Sequence, residues 1–253
     1  MHLGFIGTGT ITAHIVRGLK ASAHADWSVT LSPRSAEVAA ALAGLPGVTV
    51  AADNQAVIDA AEVVVLAVRP QVAAEVLGGL RFHLERPVIS LIAGLSLEDL
   101  AGLTGARDIC RAIPLPSVEA QACVTPVYPP QPQAMQLFAA LGQALPVADL
   151  SAFDAYATGS AVMATWFGFA ETVADWMAAN GIPPADAETY VRGLFANLGE
   201  TIGDRGRSLE QLRHDHATRG GLNEQVWRVF ADEGGADALR TGMDAVMARV
   251  SGR

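Results

Sequence analysis

Residues 3–12 read Leu3-Gly4-Phe5-Ile6-Gly7-Thr8-Gly9-Thr10-Ile11-Thr12, an apolar run that breaks into Gly-x-Gly and then resumes with helical spacing. This pattern predicts a strand, a tight turn and a helix. Gly7 permits the turn, Gly9 leaves room for a pyrophosphate, and the helix start offers unpaired N–H groups to an anion. The stretch therefore predicts a dinucleotide-binding turn. The full fingerprint has Gly or Ala where this chain has Thr12, so a glycine-rich turn of any α/β domain stays open as the alternative.

The composition is that of a compact globular protein. Of 253 residues, 51% are hydrophobic and 17% are charged, which excludes a disordered chain and allows two domains. The formal charge of −9 argues against a binder of nucleic acid or of anionic membranes. Cys110 and Cys123 lack the spacing of metal ligands, so we expect buried, reduced thiols in a cytoplasmic protein.

Strand and helix patterns alternate along the first half of the chain. Near-continuous apolar strands indicate a parallel sheet that is covered by helices on both faces. Pro126 in a later strand suits an edge position. The predicted strands lie at residues 3–6, 27–31, 48–50, 63–68, 87–92, 109–113, 123–127 and 145–147.

From Ser151 onward the strand signal stops and apolar residues recur at helical spacing. One long helix is predicted over residues 153–177, and Ser208 with Gln211 forms the signature of a capping box at the start of a later helix. The predicted fold class is an α/β Rossmann-type parallel sheet domain at residues 1–149, followed by an all-α dimerisation domain at residues 150–253.

The residues after the second strand bear on the choice of cofactor. An acidic side chain there would bind the ribose hydroxyls of NAD, but this chain has Ser32-Pro33-Arg34-Ser35. The Arg34 guanidinium and the hydroxyls of Ser32 and Ser35 can donate hydrogen bonds to the 2′-phosphate of NADP. The sequence thus predicts NADPH in preference to NADH, with a merely solvated Arg34 as the alternative.

Several motifs, in this order, resemble those of the pyrroline-5-carboxylate reductases. They are Gly4-Phe5-Ile6-Gly7-Thr8-Gly9, Ser32-Pro33-Arg34-Ser35, Leu66-Ala67-Val68-Arg69-Pro70-Gln71, Ser90-Leu91-Ile92-Ala93-Gly94-Leu95-Ser96 and Arg111-Ala112-Ile113-Pro114. The resemblance implies an NAD(P)H-binding Rossmann domain and a helical domain that dimerises, with the reaction between them. In this family the nicotinamide delivers hydride to the C=N carbon of a cyclic imino acid, which yields proline. The resemblance assigns cofactor contacts to Ile6, Gly7, Thr8, Gly9, Thr10, Ile11, Ser32, Asn54, Ala67, Val68, Arg69, Pro70, Ile92, Ala93 and Gly94.

The substrate loop departs from the family pattern Ser-Pro-Gly-Gly-Thr-Thr and reads Thr218-Arg219-Gly220-Gly221-Leu222-Asn223. Gly220, Gly221, Leu222 and Asn223 are the expected substrate-binding residues, because N–H groups at a helix start can bind a carboxylate. Asn223 and Thr218 are the expected catalytic residues. Asn223 can donate a hydrogen bond but no proton, and the alternative is that it caps a helix over residues 224–230.

Other site chemistries have weaker support. His214-Asp215-His216 lacks the spacing of a metal site, so we expect polar loop histidines and no metal.

The C-terminal helices carry more apolar positions than a bundle of about 100 residues buries alone, which predicts a homodimer.

Three functions remain open from the sequence. The leading one is NADPH-dependent reduction of a cyclic imino acid, pyrroline-5-carboxylate. The second is reduction of a different imine or carbonyl on the same architecture, and the third is a non-catalytic dinucleotide-binding regulatory protein.

Overall fold

The computed structural model describes residues 1–251, which form two compact units. Unit 1 comprises Met1–Ala157, and unit 2 begins at Thr158. The expected domain boundary between residues 149 and 150 stays a prediction. Over the described residues, every helix is too short or too polar to span a bilayer.

Eight strands form a single sheet in the described part of unit 1. The strands are β1 (His2–Ile6), β2 (Ser28–Leu31), β3 (Val48–Val50), β4 (Val63–Leu66), β5 (Val88–Ser90), β6 (Ile109–Ala112), β7 (Cys123–Tyr128) and β8 (Gly142–Pro146). The helices that follow or connect them are α1 (Thr10–Lys20), α2 (Ala36–Ala43), α3 (Asn54–Ala60), α4 (Pro70–Leu77), α5 (Leu97–Thr104), α6 (Pro132–Ala140) and α7 (Leu150–Ser160).

The spatial order of the strands is β3-β2-β1-β4-β5-β6-β7-β8, and β1 to β6 are all parallel. Apolar side chains fill the core on both faces of this sheet, as the near-continuous hydrophobic runs predict. The order reverses between β1 and β4, which is the switch point where doubly wound sheets bind ligands. The predicted Rossmann-type fold class is confirmed.

Strand β7 differs from its prediction because it is not an edge strand. It pairs antiparallel with β6 and parallel with β8, and Pro126 lies opposite Leu145. The Pro126 carbonyl accepts a hydrogen bond from Ile113 N at 3.2 Å, on the side where β6 has already ended at Ala112. Because the N and O of one strand residue point to the same side, the missing N–H of Pro126 removes nothing from the ladder with β8.

Unit 2 is helical, as the loss of strand signal predicts. Its elements after α7 are α8 (Met163–Ala179), α9 (Pro184–Ile202), α10 (Leu209–Asp215), α11 (Leu222–Asp232) and α12 (Gly235–Val250). The single long helix predicted over residues 153–177 is wrong, because the chain turns between α7 and α8 at Ala161 and Val162. The capping box is confirmed: Ser208 Oγ accepts from Gln211 N at 3.1 Å, and Gln211 Oε1 accepts from Ser208 N at 2.8 Å.

Candidate active site

The glycine turn follows β1 directly and fits a dinucleotide phosphate. Gly7 has φ +103°, and a Cβ there would lie 2.5 Å from the carbonyl oxygen of Ala67. Gly9 is the N-cap of α1, and a Cβ built on it meets no heavy atom within 4 Å in the part of the chain that the structure describes. Within residues 1–251 no side chain caps α1, so its first N–H groups stay available. The open space and the unpaired donors suit an anion.

Two threonine hydroxyls brace this turn from behind. Thr12 is fully buried, and its Oγ1 donates to the Gly7 carbonyl at 2.6 Å. Thr8 is also buried, and its Oγ1 donates to the Ser32 carbonyl at 2.7 Å. Thr12 therefore replaces the third glycine of the fingerprint with a residue that holds the turn by a hydrogen bond. The fingerprint alone does not indicate this role. The one local sign of the role is a hydroxyl residue in the first turn of α1.

Ser32 has a different role from the one expected. Its side chain is 0% exposed, and its Oγ accepts from Gly7 N at 3.0 Å and lies 3.1 Å from Thr8 Oγ1. Because the Thr8 hydroxyl already donates to a carbonyl, the single Ser32 proton is used in the bond to Thr8. In this arrangement Ser32 supports the glycine turn from β2 and has no proton left for a phosphate.

Arg34 and Ser35 remain as donors in the loop after β2. Arg34 is exposed, and within the described chain its guanidinium has no hydrogen bond or ion pair. Ser35 is the N-cap of α2 with φ +67°, and its hydroxyl caps nothing there. A left-handed serine is uncommon and is retained mainly where the surroundings or a function require it. Both side chains are free to turn toward an anion.

The other expected cofactor residues lie at the carboxyl ends of neighbouring strands. Ala67 and Val68 are half-buried after β4, and Ala67 N donates to Ile6 O at 2.8 Å. After β5 the chain passes from buried Ile92 to exposed Gly94, which has φ +75°. Others are at helix starts or beside them: Thr10 and Ile11 in α1, Asn54 in α3, and Arg69 and Pro70 at α4. Exposed Ala93 directly precedes Gly94 in the loop after β5. The structure thus gathers these expected residues at one edge of the sheet, while their contact with a cofactor stays a prediction.

The substrate loop of unit 2 precedes α11 and is built around two glycines. Gly220 has φ +74°, and Gly221 is the N-cap of α11. Gly221 N donates to the Thr218 carbonyl at 2.8 Å, and Gly220 N donates to the Glu224 carboxylate. Both glycine N–H groups are therefore engaged. The donors left for a ligand carboxylate are the N–H groups of the first helical turn, beginning at Leu222.

Asn223 does not cap the helix, contrary to the alternative expectation, because α11 begins at Leu222, two residues earlier than expected, with Gly221 as its N-cap. The Asn223 Nδ2 group donates to the His216 carbonyl at 2.9 Å and ties α11 to the end of α10. Leu222 is 82% exposed, and the Thr218 side chain is also exposed. The four residues from Gly220 to Asn223 are close together in sequence and space, while their role with a substrate stays a prediction.

The histidine pair has local partners. His216 Nδ1 lies 2.7 Å from the Leu212 carbonyl, and His214 Nε2 lies 3.8 Å from a Glu210 carboxylate oxygen. Asp215 accepts from Arg207 at 3.2 Å. Across residues 1–251 no three acidic, histidine or cysteine side chains converge as metal ligands would.

A buried charge pair that the sequence does not indicate lies between β6 and α7. Arg111 and Asp154 are 7% and 5% exposed, with Nη1 and Oδ1 3.9 Å apart, and the Arg111 guanidinium lies 4.7 Å from the centre of the Phe153 ring. Burial lowers the pKa of Arg111, and the Asp154 carboxylate works against that shift. Asp154 Oδ1 has no hydrogen-bond partner among the described residues. The pair connects residues far apart in sequence, so no local pattern could have found it.

Two family models match this chain. The one described as "NADP oxidoreductase coenzyme F420-dependent" matches residues 2–94, and the one described as "Pyrroline-5-carboxylate reductase dimerisation" matches residues 151–252.

Some relatives resemble the chain along almost its whole length. The pyrroline-5-carboxylate reductase of Escherichia coli (strain K12) is 27% identical, over 97% of this chain and 95% of its own. Among solved structures, 1-pyrroline-5-carboxylate reductase from Streptococcus pyogenes has a TM-score of 0.83 at 22% identity, covering 100% of this chain and 99% of that one. The pyrroline carboxylate reductase of Plasmodium falciparum, solved with NADP bound, has a TM-score of 0.80 at 15% identity, covering 99% and 97%. These two structures support the fold.

Proposed function

This chain belongs to the pyrroline-5-carboxylate reductase family, and on that premise we propose that it reduces pyrroline-5-carboxylate to proline with NADPH. The observation that carries the proposal is the similarity to the Escherichia coli enzyme over almost the full length of both chains. The chain is thus an oxidoreductase of a family that acts on C=N bonds.

The glycine turn of unit 1 is the proposed site for the cofactor diphosphate. Gly9 leaves open space at the uncapped start of α1, and Thr12 and Ser32 hold the turn in shape. Arg34 and Ser35 are the proposed donors to the 2′-phosphate, which supports NADPH over NADH. When bound, the reduced nicotinamide supplies a hydride.

The loop from Thr218 to Asn223 is the proposed substrate site in unit 2. The N–H groups of the first turn of α11 can bind the substrate carboxylate. The Asn223 amide has a second N–H besides the one that donates to the His216 carbonyl, and this N–H can donate a hydrogen bond to the substrate. Hydride addition to a protonated imine gives the neutral amine directly, so this step needs no further proton donor. Asn223 and Thr218 then need only orient the ring by hydrogen bonds.

We propose that the chain works as a homodimer through its C-terminal helices, since residues 151–252 match a dimerisation family. In this proposal residues 1–149 bind the dinucleotide and residues 150–253 provide the dimer contact and the substrate loop. The proposed substrate is a small imino acid.

Turnover by the purified protein tests the proposal. We expect steady oxidation of NADPH with pyrroline-5-carboxylate, with one proline formed for each NADPH consumed. Turnover of other imines or carbonyls, without turnover of pyrroline-5-carboxylate, would mean that the same architecture acts on a different substrate. Binding of NADPH without turnover on any such compound would instead favour a dinucleotide-binding regulatory protein.

A further inference from the structure

A buried cation lies in the layer of side chains directly below the carboxyl edge of the sheet. Arg111 on β6 is the cross-strand partner of Ser90 on β5 and of Tyr128 on β7. Cross-strand partners share one face of a sheet, so the Arg111 side chain stands beside that of Ser90. Ser90 ends β5, and its Oγ accepts from the N–H group of Ile92 at 3.2 Å. Arg111 is thus next to the residue that leads into the expected cofactor stretch of residues 92–94.

The nicotinamide half of the proposed cofactor belongs to this side of the edge. Arg34, the proposed donor to the 2′-phosphate of the adenosine half, follows β2, whereas β4 and β5 lie on the other side of β1. A dinucleotide that binds at the switch point spans both sides. Its nicotinamide half therefore extends toward β4 and β5. The nicotinamide ring carries a positive charge in NADP⁺ and none in NADPH, so a charge at this place distinguishes the two forms.

The electrostatic potential at this part of the edge depends on Arg111 and its counter-ion. Arg111 and Asp154 are 7% and 5% exposed, so water screens their charges little. Arg111 Nη1 and Asp154 Oδ1 are 3.9 Å apart, and this oxygen has no hydrogen-bond partner among the described residues. The Phe153 ring and the Tyr128 phenol beside the guanidinium add no formal charge. Arg69 after β4 is exposed, and its charge is therefore screened by water.

We propose that the Arg111–Asp154 pair determines the relative affinity of the cofactor site for NADP⁺ and NADPH. Arg111 in the sheet raises the potential at the nicotinamide half of the site, and Asp154 on α7 compensates for it, so that the site also binds the positively charged oxidised ring. The pair thereby sets how strongly NADP⁺ competes with NADPH. This inference rests on the proposed function, because that function places the cofactor at this edge.

Binding of the two cofactor forms tests the inference without any turnover. The Kd values for NADP⁺ and NADPH are measured calorimetrically at alkaline pH, which keeps the Asp154 carboxyl group ionised. Asp154→Asn leaves the Arg111 cation without its counter-charge. We expect the ratio of the Kd for NADP⁺ to the Kd for NADPH to rise about tenfold, which corresponds to about 1.4 kcal/mol. Arg111→Met leaves the carboxylate instead, and we expect the ratio to fall.

Two further variants separate charge from packing. Asp149→Asn is the matched control, since it makes the same substitution directly before α7, where the side chain is exposed, and it should leave the ratio unchanged. The double variant Arg111→Met with Asp154→Leu replaces both charges with apolar side chains, a change that buried ion pairs often tolerate. It alters the packing more than either single variant but leaves no net charge, so its ratio should stay within about threefold of the wild-type value. Circular dichroism checks that each variant is folded.

An unchanged ratio in Asp154→Asn overturns the inference, as does a double variant that departs from the wild type as far as Asp154→Asn does. An equal loss of affinity for both cofactor forms would make the pair only a structural support of α7. If one single variant does not fold, the direction of change in the other one decides. The proposed function fails separately, by absence of pyrroline-5-carboxylate turnover in the wild-type protein. Turnover with an unchanged ratio therefore rejects the role of the pair and keeps the function.

Discussion

At the scale of single residues, the loop after β2 separates two roles that the sequence assigns together. Ser32 is buried and hydrogen-bonded to the glycine turn, whereas Arg34 and Ser35 lie outside it. A side chain whose only proton is already bonded cannot give it to a ligand without breaking that bond. If the protein prefers NADPH as proposed, Arg34 and Ser35 should be the residues that bind its 2′-phosphate.

Replacement of Arg34 with alanine should weaken the binding of NADPH by about 1.5–3 kcal/mol and leave NADH almost unchanged, because only NADPH carries the 2′-phosphate. Fluorescence titration of both cofactors measures the difference. Ser32→Ala is the contrasting variant and should weaken both cofactors alike, since it loosens the turn that holds the shared diphosphate. Equal losses of both cofactors in Arg34→Ala would remove the phosphate role.

At the scale of elements, α7 is held on the sheet by a buried charge rather than by apolar contacts alone. Arg111 projects from β6 between the Phe153 ring and the Asp154 carboxylate, both on α7. A buried ion pair gains little overall, yet removing one partner leaves the other charge uncompensated. Removing one partner should therefore lower the free energy of unfolding by more than the long distance of 3.9 Å between Arg111 Nη1 and Asp154 Oδ1 suggests.

Asp154→Asn should lower the free energy of unfolding by about 3 kcal/mol, because Arg111 is then a buried cation without a counter-charge. Chemical denaturation measures this loss. Glu85→Gln is the matched control: Glu85 lies only 3.1 Å from Arg107, but both side chains are more than 70% exposed. Its effect should stay within about 1 kcal/mol. Similar small losses in both variants would mean that Arg111 is compensated by another group.

At the scale of the whole molecule, unit 2 presents an unusual amount of apolar surface. On α8 and α9, Phe167 is 69% exposed, Trp176 is 66% exposed and Tyr190 is 62% exposed. A groove of about 810 Å³ runs between these two helices and is lined by Trp166, Phe167 and Phe195 among others. Aromatic surface of this kind is typical of a protein interface.

Sedimentation equilibrium at micromolar concentration should therefore give the mass of a dimer. Phe167→Asp should shift the protein toward monomer, since it places a charge in the apolar contact. Leu84→Asp is the control, because Leu84 is also half-exposed but lies in unit 1. A monomeric wild-type protein, or equal shifts in both variants, would count against dimerisation through these helices.

The sequence by itself determined most of the elements and their order, although it merged α7 and α8 into one helix. The strand, glycine turn and helix at residues 2–20, the alternation that follows and the capping box at Ser208 all depend on neighbours a few residues away. Local propensity and hydrogen bonding between near neighbours can be predicted from the pattern of residues along the sequence. For the same reason the edge of the sheet at which the expected cofactor residues lie could be predicted from where the strands end.

Only the tertiary structure decided which distant groups meet. The order of strands brings Ser32 under the glycine turn, puts β7 between β6 and β8, and sets Arg111 against Asp154. The uses of these side chains differ from expectation, or were not foreseen, because burial and hydrogen-bond partners depend on which elements pack together. A hydroxyl, a proline or a charged residue has the same local sequence pattern whether it is buried or exposed. Its surroundings in the folded chain determine what it does.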